Sequence, residues 1–315
     1  MKELGGYIEF EYYRKPLLHE RAVKLNCGRN ALAYLIQTKQ ISRIALPYFL
    51  CDSIRNVCKK YSVAVRGYSI TEQLTPVDMT LDDDEWLYIV NYYGQLSPDA
   101  IRHLSERYSR IIVDNAQAYF AMPVSGVDTL YTCRKFFGVA DGAILYTDAE
   151  PILSLEQDKS FERMTFLLGR MECGSSPFYA QYAQNNASFA EAPIRRMSKL
   201  TENLLRGIDY EFVKKRRTDN FKYLAERLGA YNQISVKAVE GAFAYPLLLD
   251  DGLRIRQKLI DNKIYIPLLW PNVLQDTSVE SLEYKLASCI LPIPCDQRYG
   301  QEELDEIIHM VQSFQ

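Results

Sequence analysis

Two ionisable side chains stand where strand-like stretches of the sequence end. Asp114 follows the apolar run Ile111–Val113. Lys135 comes shortly after the strand-like run Thr129–Tyr131 and is followed by two phenylalanines. A carboxylate at the mouth of a buried strand is costly unless another group compensates its charge, and a lysine beside aromatic residues is a candidate for a nucleophilic amine. Neighbouring strand ends would present both side chains to one ligand.

A ligand that needs both an amine and a carboxylate is pyridoxal phosphate. A lysine bonds to its aldehyde as a Schiff base, and a carboxylate holds the nitrogen of its pyridine ring. The two positions therefore predict pyridoxal 5'-phosphate as the cofactor, with Lys135 and Asp114 as the catalytic residues.

A third feature lies earlier in the chain, where Gly28 opens a helical pattern with Leu32, Leu35 and Ile36 on one face. The N-terminus of a helix offers free backbone N–H groups and the positive end of a dipole to an anion. This predicts a phosphate site at Gly28, although an ordinary helix start would produce the same pattern.

Composition narrows the class of protein. The chain has 315 residues, a net charge of −3, seven cysteines and three histidines. We expect no nucleic-acid or membrane partner from this charge and hydropathy, and no metal site or Ser-His-Asp machinery from so few histidines. An odd number of cysteines without a CxxC pair indicates reduced thiols and a cytoplasmic location.

The elements that must position these residues alternate between strands and helices. This order is typical of an α/β fold, in which a mostly parallel sheet lies between helices and binds ligands at the carboxyl ends of its strands. We predict an N-terminal arm (1–20), a large cofactor-binding domain (21–205) and a small C-terminal α+β domain (206–315). Predicted strands are 44–46, 63–68, 86–90, 111–113, 129–132 and 143–146, followed in the small domain by 242–249 and 264–266.

The motif Asp114-x-Ala116-Gln117 with a lysine about twenty residues later resembles the fold-type I pyridoxal-phosphate enzymes. Within these, it is most similar to the DegT-type aminotransferases of sugar and polysaccharide biosynthesis. The resemblance is strongest from Leu25 to Thr147 and weaker in the small domain, where Ile290–Pro294 is similar to a strand of that family. It implies the PLP-transferase fold of type I, with Lys135 as the Schiff-base lysine, Asp114 at the ring nitrogen and Gln117 near the phenolic oxygen.

The phosphate-binding residues follow from the same resemblance. The segment that starts at Cys27 is similar to the family's S-G-T-A-A-L pattern, so Gly28, Arg29 and Asn30 are the expected phosphate ligands. The family has threonine where this chain has Arg29, whose contact is therefore through the backbone alone or through an added charge. The family's phosphate-binding serine falls on Leu130, and Thr132, with the S-x-x-K spacing, is the better candidate.

The aromatic residue that stacks on the cofactor ring in the family falls on Cys51. Tyr48 and Phe49 lie just before it, so either a shifted aromatic ring or the Cys51 thiol covers the cofactor. Arg134, beside the lysine, faces solvent or binds phosphate or a substrate carboxylate.

The resemblance implies an aminotransferase and a homodimer with its site near the interface. The amino donor would be an amino acid such as glutamate, and the acceptor would be a keto compound such as a nucleotide-linked keto-sugar. Two alternatives stay open at this point: a lyase or other carbanion reaction with the same cofactor, and a catalytically inactive binding or regulatory protein.

Overall fold

A seven-stranded sheet forms the centre of the large domain in the computed structural model, which describes residues 4–152 and 154–314. Its strands stand in the order β1-β7-β6-β5-β4-β2-β3. They are β1 (Val23–Leu25), β2 (Arg43–Pro47), β3 (Ala64–Tyr68), β4 (Glu85–Val90), β5 (Ile111–Asp114), β6 (Asp128–Thr132) and β7 (Ala143–Tyr146).

Five adjacent strands of this sheet, β2 to β6, are parallel, while β7 and β1 are added antiparallel at one side. The central strands β5 and β6 are buried along their whole length. Such strands read as continuous apolar runs because helices cover both faces of the sheet. The predicted α/β class with a mostly parallel sheet is therefore confirmed.

Helices α1 (Gly28–Thr38), α2 (Asp52–Lys60) and α3 (Pro98–Arg107) connect these strands. Residues 30–36 of α1 are all buried, which makes it the most deeply packed of the three. The start of α3 follows its sequence signals, because Ser97 accepts a hydrogen bond from the Ala100 amide and Pro98 occupies the first turn.

Helices α4 (Thr165–Cys173), α5 (Tyr179–Ser188) and α6 (Lys199–Arg206) lead to a smaller C-terminal unit. A two-stranded antiparallel sheet forms the centre of that unit and has its own hydrophobic core. Its elements are α7 (Tyr210–Leu228), β8 (Ala244–Leu248), α8 (Gly252–Asp261), α9 (Val273–Asp276), α10 (Leu282–Cys289), β9 (Ile290–Pro294) and α11 (Gln301–Ser313).

A third apolar cluster joins the segments that the sequence analysis assigned to separate units. It packs Leu17 at the end of the arm, Tyr131 of β6 and Val213 of α7 together. The domain limits placed after residues 20 and 205 accordingly stay predictions. Within the described ranges, no helix has the length and apolar character that a bilayer crossing requires.

One predicted strand, residues 264–266, is wrong. Lys263 has a left-handed φ of +64°, and the amide of Ile264 donates to the Leu259 carbonyl at the end of α8. The apolar residues that suggested a strand instead anchor a loop, since Ile266 is buried in the core of the small unit. Strand β1 was not predicted, because three residues that include a lysine carry no clear period.

Candidate active site

The carboxylate of Asp114 lies at the end of β5 and is almost fully buried. Its Oδ2 accepts a hydrogen bond from the Tyr88 hydroxyl at 2.7 Å, and its Oδ1 accepts one from the Ala116 amide at 2.8 Å. Burial raises the pKa of Asp114, whereas the positive charge of Lys135 and the two hydrogen bonds act in the opposite direction. The group is thus a buried acid with charged and polar partners already in place.

Lys135 lies in the turn that follows β6, the parallel neighbour of β5. The register pairs Asp114 with Leu130, so the two strands end side by side and bring the lysine within electrostatic range of the carboxylate. The lysine side chain is exposed, and its Nζ lies 5.6 Å from the centre of the Phe243 ring. The fold therefore combines a rigid, buried carboxylate with an accessible amine.

Gln117 lies in the turn after β5 and is also buried. Its side-chain oxygen accepts a hydrogen bond from the Tyr93 amide at 2.8 Å, and Tyr93 has a left-handed φ of +52°. The contact orients the amide group of Gln117 so that its NH₂ end can donate to another group.

The N-terminus of α1 faces Thr132 at the end of β6. A Cβ atom added to Gly28 would meet only the Cβ of Thr132, at 4.0 Å, so space is open between the helix end and the strand end. The first helical hydrogen bond of α1 runs from Ala31 to Cys27, and in the described structure the Cys27 side chain makes no capping hydrogen bond. The N–H groups of this first turn have no acceptor within the helix and are available to an anion.

Two of the expected phosphate ligands turn their side chains elsewhere. Arg29 donates from Nη1 to the Asn186 carbonyl at 2.9 Å. Asn30 donates to the Pro193 carbonyl at 2.8 Å and to the Asn26 side chain at 2.9 Å. Any contact of these two residues with an anion at the helix end would therefore run through their backbone amides.

Arg134 does not simply face solvent. Its Nη1 donates to the side-chain oxygen of Asn186, and its guanidinium lies 4.6 Å from the centre of the Phe189 ring. Burial lowers the pKa of Arg134. Arg29 and Arg134 thus meet on one asparagine of α5 and bring two positive charges close to Cys27 at the start of α1.

The three candidates for the ring-covering position are separated by the fold. Phe49 is fully buried, with its ring 4.2 Å from that of Trp270, and Tyr48 turns its ring towards Gly67 of β3. Cys51, the residue before α2, is half-buried and lies within electrostatic range of Tyr88, the partner of Asp114. Of the three, Cys51 is the one in the electrostatic surroundings of Tyr88, and its place over the cofactor ring stays a prediction.

Two contacts of Asp114 and Lys135 could not be predicted from the sequence. Tyr88 binds Asp114 from the neighbouring strand. The sequence shows a tyrosine within an apolar run, and a buried tyrosine hydroxyl needs a hydrogen-bond partner. Phe243 contacts Lys135 from the small unit, over a hundred residues later, and carried no local signal.

Comparisons with known proteins establish the fold. No protein-family model matches the chain, and no curated protein matches its sequence. The sugar aminotransferase CalS13 from Micromonospora echinospora is 12% identical to this chain, with a TM-score of 0.65 over 94% of this chain and 88% of that chain. A DegT DnrJ EryC1 StrS aminotransferase from Brucella abortus is 14% identical, with a TM-score of 0.65 over 95% of this chain and 87% of that chain. NtdA from Bacillus subtilis with bound cofactor PMP is 13% identical, with a TM-score of 0.65 over 93% of this chain and 72% of that chain.

These similarities extend over nearly the whole chain, which therefore has the PLP-transferase fold of type I. The fold predicted from the Asp114 and Lys135 motifs is confirmed. At such low identities, function has to be argued from the residues of the site.

Proposed function

We propose that this protein is a pyridoxal-phosphate-dependent aminotransferase. The observation that carries the proposal is the convergence of Asp114 and Lys135 at the ends of two adjacent parallel strands, with the N-terminus of α1 next to Thr132 at the end of one of them. An acid, an amine and an anion site are the three groups that the cofactor requires, and each lies on a different element of the fold.

The residues present fit the cofactor. A Cβ atom added at Gly28 would meet only the Cβ of Thr132, at 4.0 Å, so the space between the helix end and Thr132 can take a phosphate group. The backbone N–H groups of Gly28, Arg29 and Asn30 would hold the phosphate. The charges of Arg29 and Arg134 flank the same helix end and favour a dianion there. Gln117 and Cys51 complete the proposed set.

Each catalytic residue has a role that follows from its surroundings. When bound, pyridoxal phosphate would supply an aldehyde that condenses with amines and a ring that accepts an electron pair. Asp114 would accept a charge-assisted hydrogen bond from the ring nitrogen and keep a proton on it. Lys135 is exposed, so its Nζ could bind the aldehyde and, once released, carry a proton to and from the substrate carbon.

We further propose an amino-acid donor such as glutamate and a keto-sugar acceptor. The support is the similarity to CalS13, which is a sugar aminotransferase, and to NtdA, which holds PMP. The seven free thiols support work in a reducing compartment such as the cytoplasm.

The test is spectroscopic. The purified protein mixed with pyridoxal phosphate should develop the yellow absorbance band of a lysine-bound cofactor, and glutamate should bleach it. Lys135→Ala should lose the band, while Lys215→Ala, at an exposed lysine of α7, should keep it. A wild-type protein without a band would refute cofactor binding, and a band that no amino acid bleaches would refute transamination.

We also propose that the protein is a homodimer with its site near the interface. The arm is anchored where the Tyr13 amide donates to Asn203, but Tyr7 and Ile8 before it are 97% and 89% exposed. Met171 of α4 is likewise 88% exposed. Exposed apolar surface of this extent is typical of an interface.

Sedimentation equilibrium should give twice the 36.4 kDa of one chain. Ile8→Asp and Met171→Asp should shift the equilibrium towards the monomer, whereas Lys215→Asp should not. A wild-type protein that sediments as a monomer at micromolar concentration would contradict the proposal.

A further inference from the structure

The side chain of Tyr88 reaches Asp114 diagonally across two strands. Strands β4 and β5 are parallel, with Tyr88 paired to Ile112 and Val90 paired to Asp114. Tyr88 therefore lies on the same face of the sheet as Asp114, at the level of the residue two positions before it. Its ring extends along the sheet to reach the carboxylate. The hydroxyl donates to Oδ2 at 2.7 Å, and the whole tyrosine is buried.

The acceptor of this hydroxyl differs from those of the neighbouring buried tyrosines. The Tyr68 hydroxyl donates to the Tyr88 carbonyl at 2.7 Å, and the Tyr92 hydroxyl donates to the Phe49 carbonyl. Those acceptors are neutral backbone groups, which would suffice to satisfy a buried phenol. Tyr88 instead binds a carboxylate, and hydrogen bonds to charged acceptors are roughly twice as strong as neutral ones.

The two hydrogen bonds together define the orientation of the carboxylate. The Ala116 amide holds Oδ1 and Tyr88 holds Oδ2, so the carboxyl plane cannot rotate without losing one of them. Each carboxylate oxygen has a second lone pair. Asp114 can therefore accept a further hydrogen bond from a ligand while both protein donors stay in place.

We propose that Tyr88 is a positioning residue that keeps Asp114 ionised and aimed at the ring nitrogen of the cofactor. This inference rests on the proposed function, because orienting Asp114 through the Tyr88 hydrogen bond matters only if a cofactor binds at Asp114. Without such a donor, a carboxylate this deeply buried would more readily take up a proton and become a neutral hydrogen-bonding group.

Several other titratable groups face this pair. Lys135 after β6 favours the ionised carboxylate, while Tyr92, like Tyr88, is buried and has its pKa raised by burial and by the charge of Asp114. Cys51, just before α2, and Cys58 within α2 lie in the electrostatic surroundings of Tyr88. Among these groups, Tyr88 is the one that donates a hydrogen bond to Asp114, so its removal has a defined sign: the pKa of Asp114 rises.

The experiment compares Tyr88→Phe with Tyr68→Phe in the cofactor-free protein. Both changes delete one buried hydroxyl and one hydrogen bond of 2.7 Å, but only the first bond involves Asp114. The carboxyl carbon of Asp114 is followed by ¹³C NMR in protein labelled at aspartate, and its signal is identified by its loss in Asp114→Asn. Tyr88→Phe should raise the pKa of Asp114 by about one to two units, a change of about ten- to hundredfold in its ionisation equilibrium.

Tyr68→Phe should leave that titration nearly unchanged. An Asp114 titration that is the same in wild type and Tyr88→Phe would overturn the inference. Unfolding measurements on Tyr88→Phe, Asp114→Asn and the double variant provide a second reading, because the two changes should be strongly non-additive if the residues act as a pair. Additive effects would also overturn it.

The dissociation constant for pyridoxal phosphate separates this inference from the proposed function. We expect it to rise about tenfold in Tyr88→Phe and to change less than about twofold in Tyr68→Phe. If wild type binds no pyridoxal phosphate, the proposed function fails, and with it the task assigned to Tyr88, even where the titration shows the pairing. If wild type binds it and Tyr88→Phe binds it equally well, the inference alone fails.

Discussion

Replacing Gly28 with alanine should raise the stability of the protein while weakening cofactor binding. Gly28 is the first residue of α1 and has an ordinary helical φ. The added Cβ would meet nothing nearer than the Cβ of Thr132 at 4.0 Å, so the fold accepts it without strain. Alanine is a better helix former than glycine by about 0.5–1 kcal/mol, and the gain at a first-turn position lies at or below the lower end of that range.

The same methyl group would stand in the space that the phosphate is proposed to occupy. If it displaces the anion from one backbone N–H group, it removes a charge-assisted hydrogen bond of about 1.5–3 kcal/mol. This corresponds to a dissociation constant for pyridoxal phosphate that is roughly 10- to 100-fold higher. Urea unfolding would measure the stability of the cofactor-free protein, and titration of the absorbance band would measure the affinity.

Pyridoxal, which lacks the phosphate group, is the matched control ligand. Its affinity should be low and nearly equal in wild type and Gly28→Ala. The reasoning is refuted if Gly28→Ala binds pyridoxal phosphate as tightly as wild type, or if it weakens pyridoxal and pyridoxal phosphate to the same degree.

Three further outcomes test other parts of the structure. Asp114→Asn should keep the Lys135-dependent absorbance band, but its rate of transamination with glutamate, measured by single-turnover absorbance, should be lower by about a hundredfold or more. An unchanged rate would show that Asp114 has no role in the mechanism. Arg217→Met should lower the free energy of unfolding by about 2 kcal/mol, because the buried guanidinium donates to the carbonyls of Phe136 and Ala242 and one buried acceptor would lose its partner. Lys215→Met, at an exposed position of the same helix, should change it by less than about 0.5 kcal/mol. Burial lowers the pKa of the fully buried His19 to about 4. Between pH 6.5 and 4, His19 is therefore protonated in the unfolded chain but not in the folded one, and the free energy of unfolding should fall by about 3 kcal/mol as the pH drops through that range. His19→Gln should remove this part of the pH dependence in unfolding curves.

Much of the fold could be predicted because parallel strands buried on both faces leave an unmistakable apolar run. Ile111–Val113 is such a run, and the alternation of similar runs with helical segments predicted the sheet. Parallel strands end at one edge, so the residues that follow them converge whatever the details of the connecting loops. This is why the sequence alone predicts that Asp114 and Lys135 lie close together. The short strand β1 and the false strand at 264–266 fall outside this rule, because three residues carry too little pattern.

The site could be predicted only as far as its backbone. The type and order of Gly28, Asp114, Gln117 and Lys135 were sufficient to predict a cofactor pocket at the edge of the sheet. The direction of each side chain depends on neighbours that are distant in sequence. Arg29 points to Asn186, over 150 residues away, for a hydrogen bond that no local pattern records.

Local periodicity and chain order are therefore enough to predict the sheet, its ligand-binding edge and the acid–amine pair at that edge. Which groups contact that pair depends on how distant segments pack together. Phe49 joined the core with Trp270, Tyr48 turned to Gly67 and Tyr88 reached Asp114. Burial imposes those choices, because each ring and each buried polar atom must find a partner among all the elements packed around it.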